Sequence, residues 1–151
     1  TDHTITLSIT GNKNVLDIGC YPGLLLRYLR LVYGKEIILK GAGLILPTNF
    51  LTIMRDRYNI EIDTFFADMY IQTDEISILK NIPIKVNLSD ESVDFVFMTE
   101  TIEHMLSPVP ALQEARRLLK PGGKIYITTP NVASLINALF MVLRGSTPNH
   151  T

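Results

Sequence analysis

The chain has 151 residues, enough for one domain around a single core. Hydrophobic residues make up 46% and charged residues 19%, which excludes a disordered chain and points to a globular, core-rich unit. The formal net charge of -1 supplies no general attraction to phosphate backbones, so nucleic acid is not favoured as a partner.

Ile5, Leu7 and Ile9 alternate with polar residues, predicting a short strand or extended arm before a turn at Gly11-Asn12-Lys13-Asn14. Val15 to Ile18 reads as a buried strand that opens into Asp17-Ile18-Gly19-Cys20-Tyr21-Pro22-Gly23, a glycine-marked turn just ahead of a helix. Such a turn brings backbone N–H groups close to a ligand at a helix N-terminus, where the dipole is favourable. Leu24, Leu25, Tyr28, Leu29 and Val32 then recur at helical spacing until Gly34 ends the run. Ile37 to Leu39 predicts a second strand with Gly41-Ala42-Gly43 as its exit, and Pro47 to Tyr58 a helix with proline near its first turn.

Ile60, Ile62, Phe65 and Phe66 mark a third strand ending at Ala67-Asp68, after which residues 70 to 92 give weak signals. Val93, Phe95, Val96 and Phe97 form a fourth strand, and Ala111 to Leu119 a helix stopped by Pro121-Gly122-Gly123. Ile125 to Thr128 forms the fifth strand. The apolar stretch Val132 to Leu143 is too short to span a bilayer and is expected to be buried or docked. Strands alternating with helices imply right-handed crossovers and a mostly parallel sheet with helices on both faces. Ligands of such sheets bind beyond the carboxyl ends of the strands. The candidate site therefore gathers residues 17–23, 41–44, Asp68-Met69 and 98–104.

The lone cysteine, Cys20, excludes an intrachain disulfide and a cysteine-rich metal site, and a reducing, cytoplasmic setting is the default. Cys20 reads as a small buried filler in preference to a nucleophile. No secretory signal opens the chain. It starts without Met and finishes in a loop-like stretch, as expected of a single domain excerpted from a longer protein, and its oligomeric state is not encoded in any pattern. Residues 1 to 57 carry +3, residues 58 to 103 carry -8 and residues 104 to 151 carry +4, so the middle reads as a solvated acidic face or loop. Arg116, Arg117, Lys120 and Lys124 read as a solvated helix face that complements the helix dipole. His3 and His150 fall in expected tails, and no His/Asp/Glu grouping has metal-ligand spacing.

Four ordered segments resemble one family: VLDIGCYPG (15 to 23), FFAD (65 to 68), SVDFVFMTETIEHM (92 to 105) and ARRLLKPGGKIYITTPN (115 to 131). They are similar to class I S-adenosylmethionine-dependent methyltransferases, especially the small-molecule group. The resemblance implies a Rossmann-like sheet, ending in that family with a further strand pair, and S-adenosylmethionine as cofactor. It places Asp17, Gly19 and Gly23 in the loop against the methionine part of the cofactor, with Tyr21 in the same loop. Asp68 is placed at the adenine amino group, with Met69 beside the ring. Thr99-Glu100 is placed at the methyl-transfer pocket. Two positions depart from the family pattern. Tyr21 stands where the middle glycine of Asp-x-Gly-x-Gly-x-Gly belongs, and Gly43 or Leu44 occupies the slot of the carboxylate that binds both ribose hydroxyls. Losing two charged hydrogen bonds, each roughly 1.5 to 3 kcal/mol, predicts weak cofactor binding unless another group substitutes.

His104 is the candidate general base, since imidazole ordinarily titrates near neutrality; the alternative is a helix-start histidine bonded to backbone. Glu100 and Glu103, three apart and able to share a helix face, read as a solvated pair in preference to an acid/base couple. The function these features imply is methyl transfer to a small-molecule or sugar-like acceptor. The alternative is a catalytically inactive module that keeps the fold for binding or assembly.

Overall fold

The computed structural model describes residues 9–43, 46–64, 84–105 and 107–130. In chain order its elements are β1 (Lys13–Ile18), α1 (Leu24–Tyr33), β2 (Ile37–Gly43), α2 (Thr48–Tyr58), β3 (Glu61–Thr64), β4 (Val93–Thr99), a 3-10 turn (Ile102–His104), α3 (Val109–Leu118) and β5 (Leu119–Thr128). The strands lie in the order β3-β2-β1-β4-β5, and every neighbouring pair is parallel. The chain thus winds outward from β1 to β3 and then returns to place β4 on the other side of β1. That reversal opens a crevice beyond the carboxyl ends of β1, β2 and β4.

Period-two alternation assigns the core to the two faces of the sheet. Val15, Ile37, Leu39 and Phe97 point to one side, where Leu26 and Leu29 of α1 and Phe50 and Met54 of α2 cover them. Leu16, Ile18, Ala42, Val96 and Met98 point to the other, where Ala111, Ala115 and Leu118 of α3 pack. Helices therefore lie on both faces of this Rossmann-like sheet, as the alternation predicts.

Several boundaries differ from the periodicity. β2 runs to Gly43 because Gly41, Ala42 and Gly43 pair with β3 rather than leaving the sheet. β3 is described only over Glu61–Thr64; Phe65, Phe66 and the rest of the predicted third strand lie outside the described residues, as does Val132 to Leu143. α3 begins at Val109, with Pro110 in its first turn, and ends at Leu118 because Leu119 already has extended backbone. β5 starts at Leu119, the residue at which the sequence pattern ends the helix, and takes in the predicted turn Pro121-Gly122-Gly123. Val93 pairs with Leu119 and Phe95 with Lys124, so Lys-Pro-Gly-Gly bulges from the ladder, at a proline that has no N–H to donate.

The apolar stripe of α1 also differs. Leu26 and Leu29 are buried, whereas Leu24, Tyr28 and Val32 are exposed. Three consecutive leucines at 24 to 26 allow more than one helical stripe, and packing against the sheet selects among them.

Candidate functional site

Each element contributes its carboxyl-terminal end to the crevice. At the end of β1, Asp17 is only 2% exposed, and its Oδ1 has no hydrogen-bond partner among the described residues. Burial without a compensating donor pushes its carboxyl up to about 7. An orphaned buried carboxyl oxygen beside a ligand loop is a group waiting for a donor.

Gly19 follows with φ 81°, and its N–H donates to the Ala42 carbonyl of β2 at 2.8 Å. A side chain is excluded there twice over. L residues disfavour this backbone, and a Cβ would collide with both Cγ2 and Oγ1 of Thr101. Gly23, at φ 83°, closes the turn by donating its N–H to the Cys20 carbonyl at 2.6 Å. A Cβ at Gly23 would stand 2.9 Å from Cε2 of Phe50, so this glycine lets the loop settle on α2. Gly23 is also the N-cap of α1, whose first turn has no side-chain cap and no acidic residue. Its free N–H groups and positive dipole end suit an anionic group.

Cys20 is buried, and burial together with the neighbouring Asp17 pushes its thiol up to about 12. A thiol held that high is no nucleophile at neutral pH, and the filler reading of Cys20 stands. Tyr21 reaches out of the turn: it is 57% exposed, and its ring meets Phe50 edge-on, centroids 5.2 Å apart. Its exposed side adjoins the glycine loop.

At the exit of β2, Leu46 covers Gly43, whose added Cβ would lie 3.0 Å from Leu46 Cδ1. That exit is apolar where a ribose-binding carboxylate is expected. Leu44, Asp68 and Met69 lie outside the described residues.

At the exit of β4, Thr99 is the last strand residue, and Glu100 adopts φ 49°. The Glu100 N–H donates to the Thr128 carbonyl at 3.1 Å, and Thr128 Oγ1 donates to Glu100 Oε1 at 2.9 Å. This left-handed residue lies outside the 3-10 turn, so Glu100 and Glu103 do not share a helix face. His104 ends that turn, with its N–H donated to Thr101 O at 3.1 Å. Its ring is 61% exposed and lies 4.0 Å from Glu103 Oε1. The imidazole is thus accessible at the crevice side of β4, and backbone rather than ring makes the local hydrogen bond.

The sequence placed Thr101 inside the 98–104 segment without a role of its own, and it missed Thr128 as a site residue. Both are threonines in a stretch rich in them, and only the parallel register of β4 on β5 makes Thr128 a partner of residue 100. The Arg116 to Lys124 group also reads differently in three dimensions. Arg117 bonds to Glu114, Asp90 and two carbonyls, and Lys120 pairs with Asp94, so neither is free to hold an external anion. Among the described residues there is no grouping of three or more His, Cys, Asp or Glu able to hold a metal, and no helix long and apolar enough to cross a membrane.

A doubly wound parallel sheet with a glycine turn, an orphaned acid and an uncapped helix N-terminus on one edge defines a domain of the nucleotide-cofactor-binding type. A family model described as a methyltransferase domain matches residues 4–151, and the chain belongs to that family, of the class I S-adenosylmethionine-dependent kind. A ubiquinone biosynthesis O-methyltransferase of Hydrogenovibrio crunogenus is 27% identical over 120 residues, which cover 80% of this chain and 44% of that protein. A Haloferax volcanii chain solved in complex with the Trm112 methyltransferase activator superposes with a TM-score of 0.55 at 26% identity, covering 82% of this chain and 48% of that one. Phosphoethanolamine N-methyltransferase 2 of Haemonchus contortus, solved with S-adenosyl-L-methionine, shares the fold with a TM-score of 0.57 at 21% identity, covering 92% of this chain and 30% of that one. The chain spans less than half the length of the curated relative.

Proposed function

We infer that this domain binds S-adenosylmethionine in the crevice above β1, β2 and β4 and transfers its methyl group to a small-molecule acceptor bearing a hydroxyl. The observation that carries the reading is the β1 exit, where an unpartnered buried acid, two glycines in left-handed backbone and an uncapped helix start converge. These groups fit the methionine end of the cofactor: Asp17 accepts from its ammonium, and the α1 N-terminus receives its carboxylate. The hydroxyl class of acceptor draws its support from the O-methyltransferase names of the curated relatives.

When bound, the cofactor supplies a methyl carbon already activated on sulfur. Asp17 and the α1 N-terminus would hold the methionine end of the cofactor, which would supply its methyl to the acceptor oxygen. The protein's share is position and exclusion of water. Thr99 and Glu100 line the approach of the acceptor, and His104 takes the hydroxyl proton that the acceptor must release. Tyr21 lies with its exposed side along the bound ligand, and Gly43 leaves the ribose without a carboxylate partner, so affinity is modest.

Isothermal titration of the full-length protein with S-adenosylmethionine and S-adenosylhomocysteine tests the reading. Saturable binding of both is expected, and no heat from either at millimolar concentration rejects it. A second reading, a fold-preserving module without catalysis, draws on the apolar β2 exit under Leu46. Under it, Tyr21→Gly combined with Gly43→Asp creates affinity that the parent chain lacks.

A further inference from the structure

We propose that Thr101 is the positioning residue that locks the glycine turn of β1 to the exit of β4, and so couples the donor-binding loop to the turn that carries His104. The inference rests on the proposed methyl-transfer site and deepens it.

Thr101 is only 8% exposed. Its Oγ1 lies 2.9 Å from the Thr99 carbonyl and 3.3 Å from the Ile18 carbonyl, so one hydroxyl proton serves both strand ends. Ile18 and Thr101 are 83 residues apart in the chain, and the described ladder of β4 ends at Thr99, two residues before Thr101. The side chain of Thr101 fills the space where a Gly19 Cβ would stand, against the inside of the turn. On its other side, the Thr101 carbonyl accepts the His104 N–H at 3.1 Å and thereby sets the start of the 3-10 turn. One residue therefore holds the loop from below and the candidate base from behind.

Glycine at position 19 and threonine at 101 are thus complementary parts of one contact. The glycine admits the threonine methyl and hydroxyl, and the threonine prevents a glycine turn with φ 81° from relaxing toward ordinary backbone. Serine preserves the donor without the methyl, while valine preserves the shape without the donor.

The experiment compares full-length wild type with Thr101→Val and Thr101→Ser. The affinity for S-adenosylhomocysteine is read by titration, and hydrogen exchange of the Gly19 and Cys20 amides is read without ligand. Both amides donate to Ala42 and report the turn directly. Thr101→Val is expected to weaken binding about tenfold and to accelerate exchange at both amides, with Thr101→Ser restoring each to within about twofold of wild type. Unchanged exchange in Thr101→Val overturns the proposal, and so does a serine variant that behaves like the valine one. Should Thr101→Val not fold, Thr101→Ala set against Thr101→Ser carries the same contrast. If wild type itself binds no S-adenosylhomocysteine, the proposed function fails, and the exchange comparison alone decides the role of Thr101.

Discussion

Asp17 keeps its proton up to about pH 7 instead of its ordinary 3.8, because burial penalises the anion and no donor compensates one of its oxygens. Between those two values the folded chain holds a proton that the unfolded chain has lost. The resulting stability is complete below about pH 4 and drains away as pH rises through about 7, with a span of roughly 4 kcal/mol. Urea unfolding from about pH 5 to about pH 8 should therefore show a decline in wild type that Asp17→Asn removes; equal slopes in the two proteins refute the assignment. The Asp-x-Gly pattern made Asp17 and Gly19 legible as loop residues, since a left-handed turn after a buried strand has a residue signature. The orphaned oxygen had none. It depends on what the neighbouring strands fail to offer, and composition carries no record of an absent donor.

At the scale of elements, α3 is fastened to the stretch before β4 by one guanidinium. Arg117 donates to both carboxylate oxygens of Glu114, to Asp90 and to the carbonyls of Val86 and Leu88. Glu114, itself buried, also accepts the Val86 N–H at 2.7 Å. Burial works to raise the Glu114 carboxyl, but the Arg117 and Val86 hydrogen bonds outweigh it and hold the group below its usual range. Arg117→Ala leaves that carboxylate buried without its counter-charge and should destabilise the fold by about 3 kcal/mol. Arg117→Lys should recover only part, since an ammonium cannot reproduce a planar five-donor fork. Chemical denaturation measures both, and a loss below about 1 kcal/mol for alanine contradicts the fastening role. The i, i+3 spacing of Glu114 and Arg117 was visible in the sequence. Val86 and Leu88 were not, because they fall in a stretch with neither helical nor strand period and acquire partners only through tertiary packing. The Lys-Pro-Gly-Gly bulge shows the same limit: proline and glycine announced a turn, and the β4 register drew the chain on either side of it into a strand.

Over the whole molecule, three acids from the middle of the sequence, Glu61, Asp90 and Asp94, meet basic residues from its flanks among the described residues. Asp94 of β4 takes Lys13 Nζ at 3.2 Å, the Asn14 N–H at 2.9 Å and Lys120 Nζ at 2.8 Å, tying β1, β4 and β5 at the end of the sheet away from the crevice. Desolvation opposes ionisation there, but the donors from Lys120, Asn14 and Lys13 prevail and bring the carboxyl down to about 2. That stabilisation is present above about pH 4 and is lost as pH falls toward 2. Asp94→Asn should lower the melting temperature at neutral pH and flatten the acid limb of the stability curve; an acid limb as steep as that of wild type counts against it. The parallel sheet with helices on both faces was legible from the alternation of elements, whereas its strand order came only with the structure. Which acid met which lysine depended on register.

The winding of the sheet has a consequence in time as well as in space. β1 is made before β4, yet β4 is one of its two neighbours, and the side chain that seats the Gly19 turn belongs to residue 101, beyond β4. The most recognisable stretch of the chain becomes the proposed binding loop only after some eighty further residues have left the ribosome, about 4 to 16 s later at ordinary elongation rates. Until then the edge of β1 that will receive β4 is an open template, and any product ending after β3 carries the loop without the site.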